Sequence, residues 1–79
     1  MRVTVRLYAG LSRYGPHGPA GEAFDYTLPE DSTVHDLLCA LGVPDHAPVV
    51  ALVQHQVVEL DHPLADGDAL ALFPPVAGG

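Results

Sequence analysis

The sequence contains no lysine and a single cysteine among its 79 residues. One thiol, that of Cys39, excludes an internal disulfide, which is typical of a protein from a reducing compartment. No long apolar run or cleavable leader precedes the first strand-like segment, so neither a membrane span nor secretion is expected. These absences together predict a cytoplasmic protein.

Positive charge is scarce as well. Three arginines stand against ten carboxylates, which gives a formal net charge of -7 at pH 7. Because nucleic acids and anionic membranes attract proteins through positive charge, this balance argues against both as partners. A basic protein surface is the expected partner.

Length and composition limit the fold to one small domain. A hydrophobic content of 48% with 16% charge is typical of globular chains. A chain of this size buries only about 60% of the surface that its unfolded form exposes, so its stability is expected to be modest. We expect residues 1–75 to form the domain and residues 76–79 a flexible tail.

Two alternating runs open the chain. Residues 2–8 place Val3, Val5 and Leu7 on one face, which predicts a half-buried strand. Residues 23–28 alternate in the same way and predict a second strand. The segment between them is rich in glycine and proline, so we expect a hairpin whose mobile loop follows one helical turn at residues 11–14.

An apolar stripe next predicts one helix. Asp31, Ser32 and Thr33 are candidate N-caps before it, and Gly42 followed by Pro44 ends it. The stripe follows the i, i+3, i+4, i+7 spacing of one helical face. It consists of Val34, Leu37, Leu38 and Leu41.

Three short strands follow the helix, at residues 49–53, 56–58 and 69–73. A helix with one apolar stripe and strands with one apolar side predict an α+β grasp architecture, a mixed sheet with one helix packed on one face. Gln54-His55 lies in the turn between two of these strands. The sequence leaves that turn type open, because both residues tolerate positive φ less well than Asn-Gly.

The parity of the last strand predicts what the other face of the sheet carries. Leu70 and Leu72 have the parity of core residues, so Phe73 must point away from the helix. Tyr8 points away by the same rule. If the first and last strands are neighbours, Tyr8 and Phe73 form an exposed aromatic patch beside the tail, where a partner would bind.

The tail ends in Gly78-Gly79 after the pair Pro74-Pro75. Glycine lacks a Cβ, so the last two residues can enter a channel too narrow for other side chains, while the prolines keep the backbone extended. A terminal carboxylate presented in this way can be adenylated and then attacked by a sulfur or amine nucleophile. Because lysine is absent, a tag joined to amines could polymerise on itself only through the Met1 amine.

These features resemble a known family. Residues 60–79, with the sequence LDHPLADGDALALFPPVAGG, are similar to the sulfur carrier subunit of molybdopterin synthase, of the ubiquitin-like β-grasp sulfur carrier family. The likeness extends to Tyr8-Ala9 and to residues 28–30 and 33–38. The pairing of an Asp-Gly-Asp turn with a Pro-Pro-Val-Ala-Gly-Gly end is its most specific part.

The resemblance implies a ubiquitin-like β-grasp fold whose Gly79 carboxylate an activating enzyme adenylates with ATP and converts to a thiocarboxylate. In this family the tail enters the large synthase subunit, which carries the catalytic side chains, and the sulfur goes to cyclic pyranopterin monophosphate. The expected assembly is a heterotetramer, with a monomer when alone and no bound cofactor. The implied reactive residues are Gly78 and Gly79, and the implied partner-binding residues are Tyr8, Val57, Phe73, Pro74, Pro75, Val76 and Ala77.

Other functions stay open at this point. A ubiquitin-like modifier conjugated through Gly79 to protein amines would share the adenylation step. Related carriers that serve thiamine, cysteine or transfer-RNA thiolation use the same ending on the same fold. A β-grasp binding module without tail chemistry is the third possibility.

The remaining chemistry-bearing residues are expected to be structural. The carboxylates of Asp66 and Asp68 should accept from local backbone N–H groups in a turn rather than hold a metal. Cys39 has no basic neighbour in sequence that would favour its thiolate, and its role stays open. The histidines lack the paired spacing of a zinc site, and no catalytic triad can be assembled, so neither a metal site nor an enzyme in isolation is predicted.

Overall fold

The computed structural model describes residues 1–15 and 21–75. They form one five-stranded mixed sheet with strand order β2-β1-β5-β3-β4 and one α-helix on one face, which confirms the predicted α+β grasp. The flexible tail predicted at 76–79 and part of the predicted mobile loop lie outside the described residues. The elements are β1 (Arg2–Leu7), a 3-10 helix (Ala9–Tyr14), β2 (Phe24–Thr27), α1 (Val34–Leu41), β3 (Val50–Val53), β4 (Gln56–Val58) and β5 (Ala69–Phe73).

β1 and β5 lie side by side in the middle of the sheet. β1 pairs with β2 as the predicted antiparallel hairpin, and it pairs with β5 in parallel. β5 also pairs antiparallel with β3, and β3 with β4. Neither of the helices in residues 1–15 and 21–75 has the length and hydropathy of a transmembrane span.

The core lies between the sheet and α1, and alternation in sequence decides which side chains enter it. Val5 and Leu72 are fully buried from the sheet, and Val34 and Leu37 are fully buried from the helix. Each such side chain contributes roughly 1.5–3 kcal/mol on burial. The stripe and the alternating faces predicted from sequence therefore form one continuous core, with Leu41 partly buried at its border.

Of the three candidate caps, Thr33 is the residue that begins α1. The backbone N–H of Asp36 donates to Thr33 Oγ1 at 3.2 Å, and the backbone N–H of Thr33 donates to Asp36 Oδ2 at 2.9 Å. This reciprocal pair is a capping box, which satisfies two backbone donors that the helix itself leaves free. Gly42 ends the helix at φ 90°, a left-handed conformation that glycine adopts at little cost.

The Asp66-Gly67-Asp68 turn ties the start of β1 to the start of β5. Asp68 Oδ2 accepts from the backbone N–H of Ala65 at 2.8 Å, as the sequence predicts for a local turn. Asp66 Oδ1 instead accepts from the backbone N–H of Arg2 at 2.7 Å, 64 positions away along the chain. The two carboxylates therefore serve backbone N–H groups, and one of them also fixes where the two central strands meet.

The turn between β3 and β4 has positive φ at both of its central residues, 51° at Gln54 and 69° at His55. Two consecutive positive φ values in a two-residue hairpin are the signature of a type I′ turn, which the sequence left open. Its twist matches that of the flanking strands, so the hairpin accepts two residues that disfavour this backbone conformation.

This turn generates a stability prediction. Replacing the pair by Asn-Gly (Gln54→Asn with His55→Gly) should stabilise the protein by about 1 kcal/mol, because it relieves left-handed strain at two positions. Urea unfolding measures the change. Gln56→Gly is the matched control within β4. Since φ is not positive at Gln56, glycine relieves no strain there, and its loss of backbone entropy on folding should destabilise the protein. A double variant less stable than the parent would contradict the assignment.

Candidate functional site

Tyr8 and Phe73 stack where β1 and β5 end. Their ring centroids are 4.5 Å apart and their planes differ by 7°. The backbone N–H of Tyr8 donates to the carbonyl of Leu72 at 3.1 Å, so the parallel pairing continues past β1 and brings the rings level. Both side chains are half-buried. The structure thus brings together the two aromatic residues that strand parity predicted, while their role in partner binding stays a prediction.

Gly21 supports the Tyr8 ring from the loop before β2. Its φ is 84°, and a Cβ added there would lie 2.9 Å from Tyr8 Cε1. Its N–H donates to the carbonyl of Leu7 at 2.8 Å, and its carbonyl accepts from Arg6 Nη1 at 2.7 Å. Only a residue without a side chain lets the backbone lie this close to the ring, so Gly21 helps to set the position of Tyr8.

A row of residues continues from this patch across the face of the sheet that lies away from α1. Arg6 opposes Ala71 in the strand register, Ala71 opposes Leu52, and Leu52 opposes Val57. Directly opposed residues lie on the same face of a sheet. Val57 is 73% exposed on the edge strand β4. The predicted partner-binding residue Val57 therefore shares one face with Tyr8 and Phe73.

A shallow concavity of about 380 Å³ occupies this face. It extends from Tyr8 and Phe73 over the small side chains of Ala69 and Ala71 towards His55. None of the described residues that line it is a carboxylate or a thiol. An apolar floor bordered by Arg6 suits the docking of a partner's apolar side chain better than acid–base or nucleophilic catalysis. We refer to this surface, from Tyr8 to Val57, as the outer face.

The tail begins beside the outer face. Pro74 is half-buried and Pro75 is exposed, so the chain leaves the sheet directly after the stacked ring of Phe73. The other predicted site residues, Val76, Ala77, Gly78 and Gly79, lie outside the described residues.

Neither Leu52 nor Arg6 was among the predicted partner-binding residues, although both belong to the outer face. Leu52 is half-buried there, while its neighbours Ala51 and Val53 are buried in the core. The whole of β3 is apolar, so alternation of polar and apolar residues could not assign its faces. For Arg6 the sequence did carry the information, because Arg6 and Tyr8 are two residues apart and alternation places them on the same face of the sheet.

A second group of chemistry-bearing side chains lies on the exposed side of α1. Cys39 Sγ lies 3.6 Å from His35 Nε2 and 3.7 Å from Asp45 Oδ1, and His35 Nε2 lies 3.2 Å from Asp45 Oδ1. Loss of hydration, the negative charge of Asp45 with its hydrogen bond, and the charge of Asp36 all raise the pKa of the Cys39 thiol. The i, i+4 spacing of His35 and Cys39 was the one sequence feature that could have predicted this cluster. No sequence feature indicated that Asp45 would join it.

The fold defines a class of protein, the ubiquitin-like β-grasp proteins, and the outer face is the apolar sheet surface of this member. Residues 20–79 match the ThiS family, and the chain belongs to that family. Over 40 residues the chain is 50% identical to the molybdopterin synthase sulfur carrier subunit of Escherichia coli (strain K12). That alignment covers 51% of this chain and 48% of the relative, so the chain spans about half the length of the curated relative that it matches.

Solved structures share the whole fold. SAMP1 from Haloferax volcanii, a small archaeal modifier protein, is similar with a TM-score of 0.72 and 28% identity, over 100% of both chains. The putative molybdopterin converting factor subunit 1 from Pyrococcus furiosus is similar with a TM-score of 0.69 and 27% identity, over 95% of this chain and 98% of that one. These likenesses confirm the ubiquitin-like β-grasp fold and the family resemblance noted in the sequence.

The packing of Tyr8 against Gly21 can be tested by adding one methyl group. Gly21→Ala should destabilise by about 1–3 kcal/mol through its positive φ and should displace the Tyr8 ring. Nuclear Overhauser contacts between Tyr8 and Phe73 measure the displacement, and urea unfolding measures the stability.

Gly67→Ala is the matched control, because Gly67 has a φ of 87° but nothing within 4 Å of an added Cβ. It should lose stability through φ alone and leave the ring contacts intact. Intact Tyr8–Phe73 contacts in Gly21→Ala would contradict the supporting role of Gly21.

Proposed function

We propose that the chain is a sulfur carrier that acts through its terminal Gly79. The carboxylate oxygen of Gly79 attacks the α-phosphorus of ATP in a separate activating enzyme, and pyrophosphate leaves. A sulfide donor then attacks the acyl carbon and displaces AMP, which forms the thiocarboxylate. When the sulfur bonds to an acceptor, water cleaves the acyl–sulfur bond and regenerates the carboxylate.

The observation that carries this proposal is the point at which the tail leaves the domain. β5 lies in the centre of the sheet and ends at Phe73, whose ring is stacked on Tyr8. Six residues follow, and an extended proline-rich segment spans about 3.1 Å per residue, so Gly79 can reach about 19 Å beyond the docking surface. A partner bound to the outer face can therefore receive the terminal glycine in a separate, deep site.

The proposed acceptor site belongs to the large subunit of molybdopterin synthase, with cyclic pyranopterin monophosphate as the sulfur acceptor. Support comes from the Escherichia coli relative, which is named as the sulfur carrier subunit of that synthase. The outer face would dock on the large subunit, with two carriers on a dimer of large subunits. In this arrangement the large subunit supplies the catalytic side chains, and the carrier supplies a consumable sulfur atom.

A second candidate function is conjugation of Gly79 to protein amines. It is favoured by the similarity to SAMP1, which is named a modifier protein. Both functions begin with adenylation of the same carboxylate, and they differ in the nucleophile that follows. The carriers of other thiolation pathways would use the same thiocarboxylate with a different acceptor.

The intact mass of the protein purified from its own host distinguishes the two candidates. A carrier should show a mass increase equal to the replacement of one oxygen by sulfur, localised by fragmentation to Gly79. A variant that lacks Gly79 is the control and should show neither the mass increase nor sulfur transfer, with unchanged unfolding. A branched peptide that joins Gly79 to a lysine of another protein would support the modifier instead, and a fully active Gly79 deletion would exclude both.

Phe73→Ala tests the outer face as the docking surface. The variant should bind the large subunit about 1–3 kcal/mol more weakly by calorimetry, because a stacked aromatic anchor is lost. Gln56→Ala, a change of an exposed residue on β4 whose neighbour Val57 belongs to the outer face, is the control and should bind as the parent does. Unchanged affinity together with a large fall in melting temperature would instead make Phe73 a structural residue.

A further inference from the structure

We infer that the exposed side of α1 carries a binding site for a soft divalent cation such as Zn²⁺, formed by His35, Cys39 and Asp45. The three residues lie on the side of the molecule opposite the outer face. The inference is independent of the proposed function, and it departs from the sequence expectation that the histidines take part in no metal site.

The local fold places the three side chains together. Residues four apart on a helix lie one above the other, so His35 and Cys39 share one face of α1. Gly42 then turns the chain back, with the N–H of Val43 donating to the carbonyl of Leu38 at 3.0 Å. This turn returns Asp45 to the end of the helix. All three side chains are exposed, so an ion can reach them from solvent.

The three donor atoms have the separations of ligands on one small ion. Nε2 of His35, Sγ of Cys39 and Oδ1 of Asp45 form a triangle with sides of 3.2, 3.6 and 3.7 Å. A tetrahedral zinc ion, with bonds of about 2.0–2.1 Å to nitrogen and oxygen and about 2.3 Å to sulfur, separates nitrogen and oxygen by about 3.3 Å and sulfur from either by about 3.5 Å. An ion placed between the three atoms therefore meets all of them at bonding distance.

The same geometry argues against a catalytic relay. In a Cys-His-Asp relay the thiol and the carboxylate contact different ring nitrogens. Here both approach Nε2 of His35, and the sulfur lies 3.9 Å from Nδ1, which places it beside the ring. The arrangement therefore does not match a relay in which the imidazole passes a proton between the thiol and the carboxylate.

The donor set defines the class of ion. A thiolate and an imidazole select soft or borderline metals over Mg²⁺ and Ca²⁺, and three protein ligands leave the fourth tetrahedral position to water. Binding replaces the thiol proton of Cys39 with the metal. The bound ion would join α1 to the loop that follows it, and it would block the thiol from oxidants and alkylating reagents.

A cobalt titration tests the site. The full chain, without an affinity tag and under anaerobic conditions, is titrated with Co²⁺ and followed by absorption. We expect one ion per chain, the intense visible bands of tetrahedral cobalt, a thiolate-to-cobalt charge-transfer band, and loss of all of these when Zn²⁺ is added. Cys39→Ser should abolish the charge-transfer band, and His35→Ala and Asp45→Asn should each weaken binding by about tenfold or more.

The matched control is His46→Ala, which removes an exposed histidine directly after Asp45 and should bind cobalt as the parent does. A second readout is alkylation of Cys39 followed by intact mass. Zn²⁺ should slow the alkylation of Cys39 in the parent protein and in the His46→Ala variant, but not in the His35→Ala variant. The absence of a charge-transfer band, unchanged affinity in both His35→Ala and Asp45→Asn, or one ion shared by two chains would each overturn the site.

Discussion

The parallel pairing of β1 with β5 is the interaction on which the rest of the structure depends. It joins the first and last strands of the described domain, so every other element lies in a loop that this pairing closes. Two hydrogen bonds fix the register of β1 against β5 at one end: the N–H of Arg2 donates to the Asp66 carboxylate, and the N–H of Gly67 donates to the carbonyl of Arg2. The bond from Tyr8 to Leu72 extends it at the other end. Such long-range closure costs chain entropy before its contacts form, which favours a slower folding reaction than that of a helical bundle of equal length.

The same pairing separates the molecule into two chemically different sides. Alternate residues of the central strands enter the core against α1, and the residues between them form the outer face. The stacked rings, the small alanines and the start of the tail are all on one side. The cluster of His35, Cys39 and Asp45 is on the opposite side of the molecule, on the exposed side of α1. A ligand on α1 and a partner on the outer face can therefore be bound at the same time.

Much of this arrangement could be predicted from sequence, because single apolar faces have an unambiguous period. Val3, Val5 and Leu7 gave the inner face of β1, and parity then placed Tyr8 and Phe73 on the outer one. The features that could not be predicted from sequence have physical causes. β3 is apolar on both faces, so the orientation of Leu52 carried no signal. Positive φ at Gln54 and His55 is imposed by the twist of the hairpin against the preference of both residues. The end of the helix at Gly42 was predicted, but the direction of the chain after it, which brings Asp45 close to Cys39, is not encoded in a periodic pattern.

The central position of β5 also has a mechanical consequence. The tail continues directly from a strand that is hydrogen-bonded to β1 on one side and to β3 on the other. A force applied to the tail along the strand would load both ladders in shear, so many hydrogen bonds must fail together rather than one after another. Resistance to forced unfolding is governed by the unfolding rate, and this topology makes that rate low when the pull comes from the tail. The tail is thus attached to a strand that such a pull can free only by breaking two ladders at once.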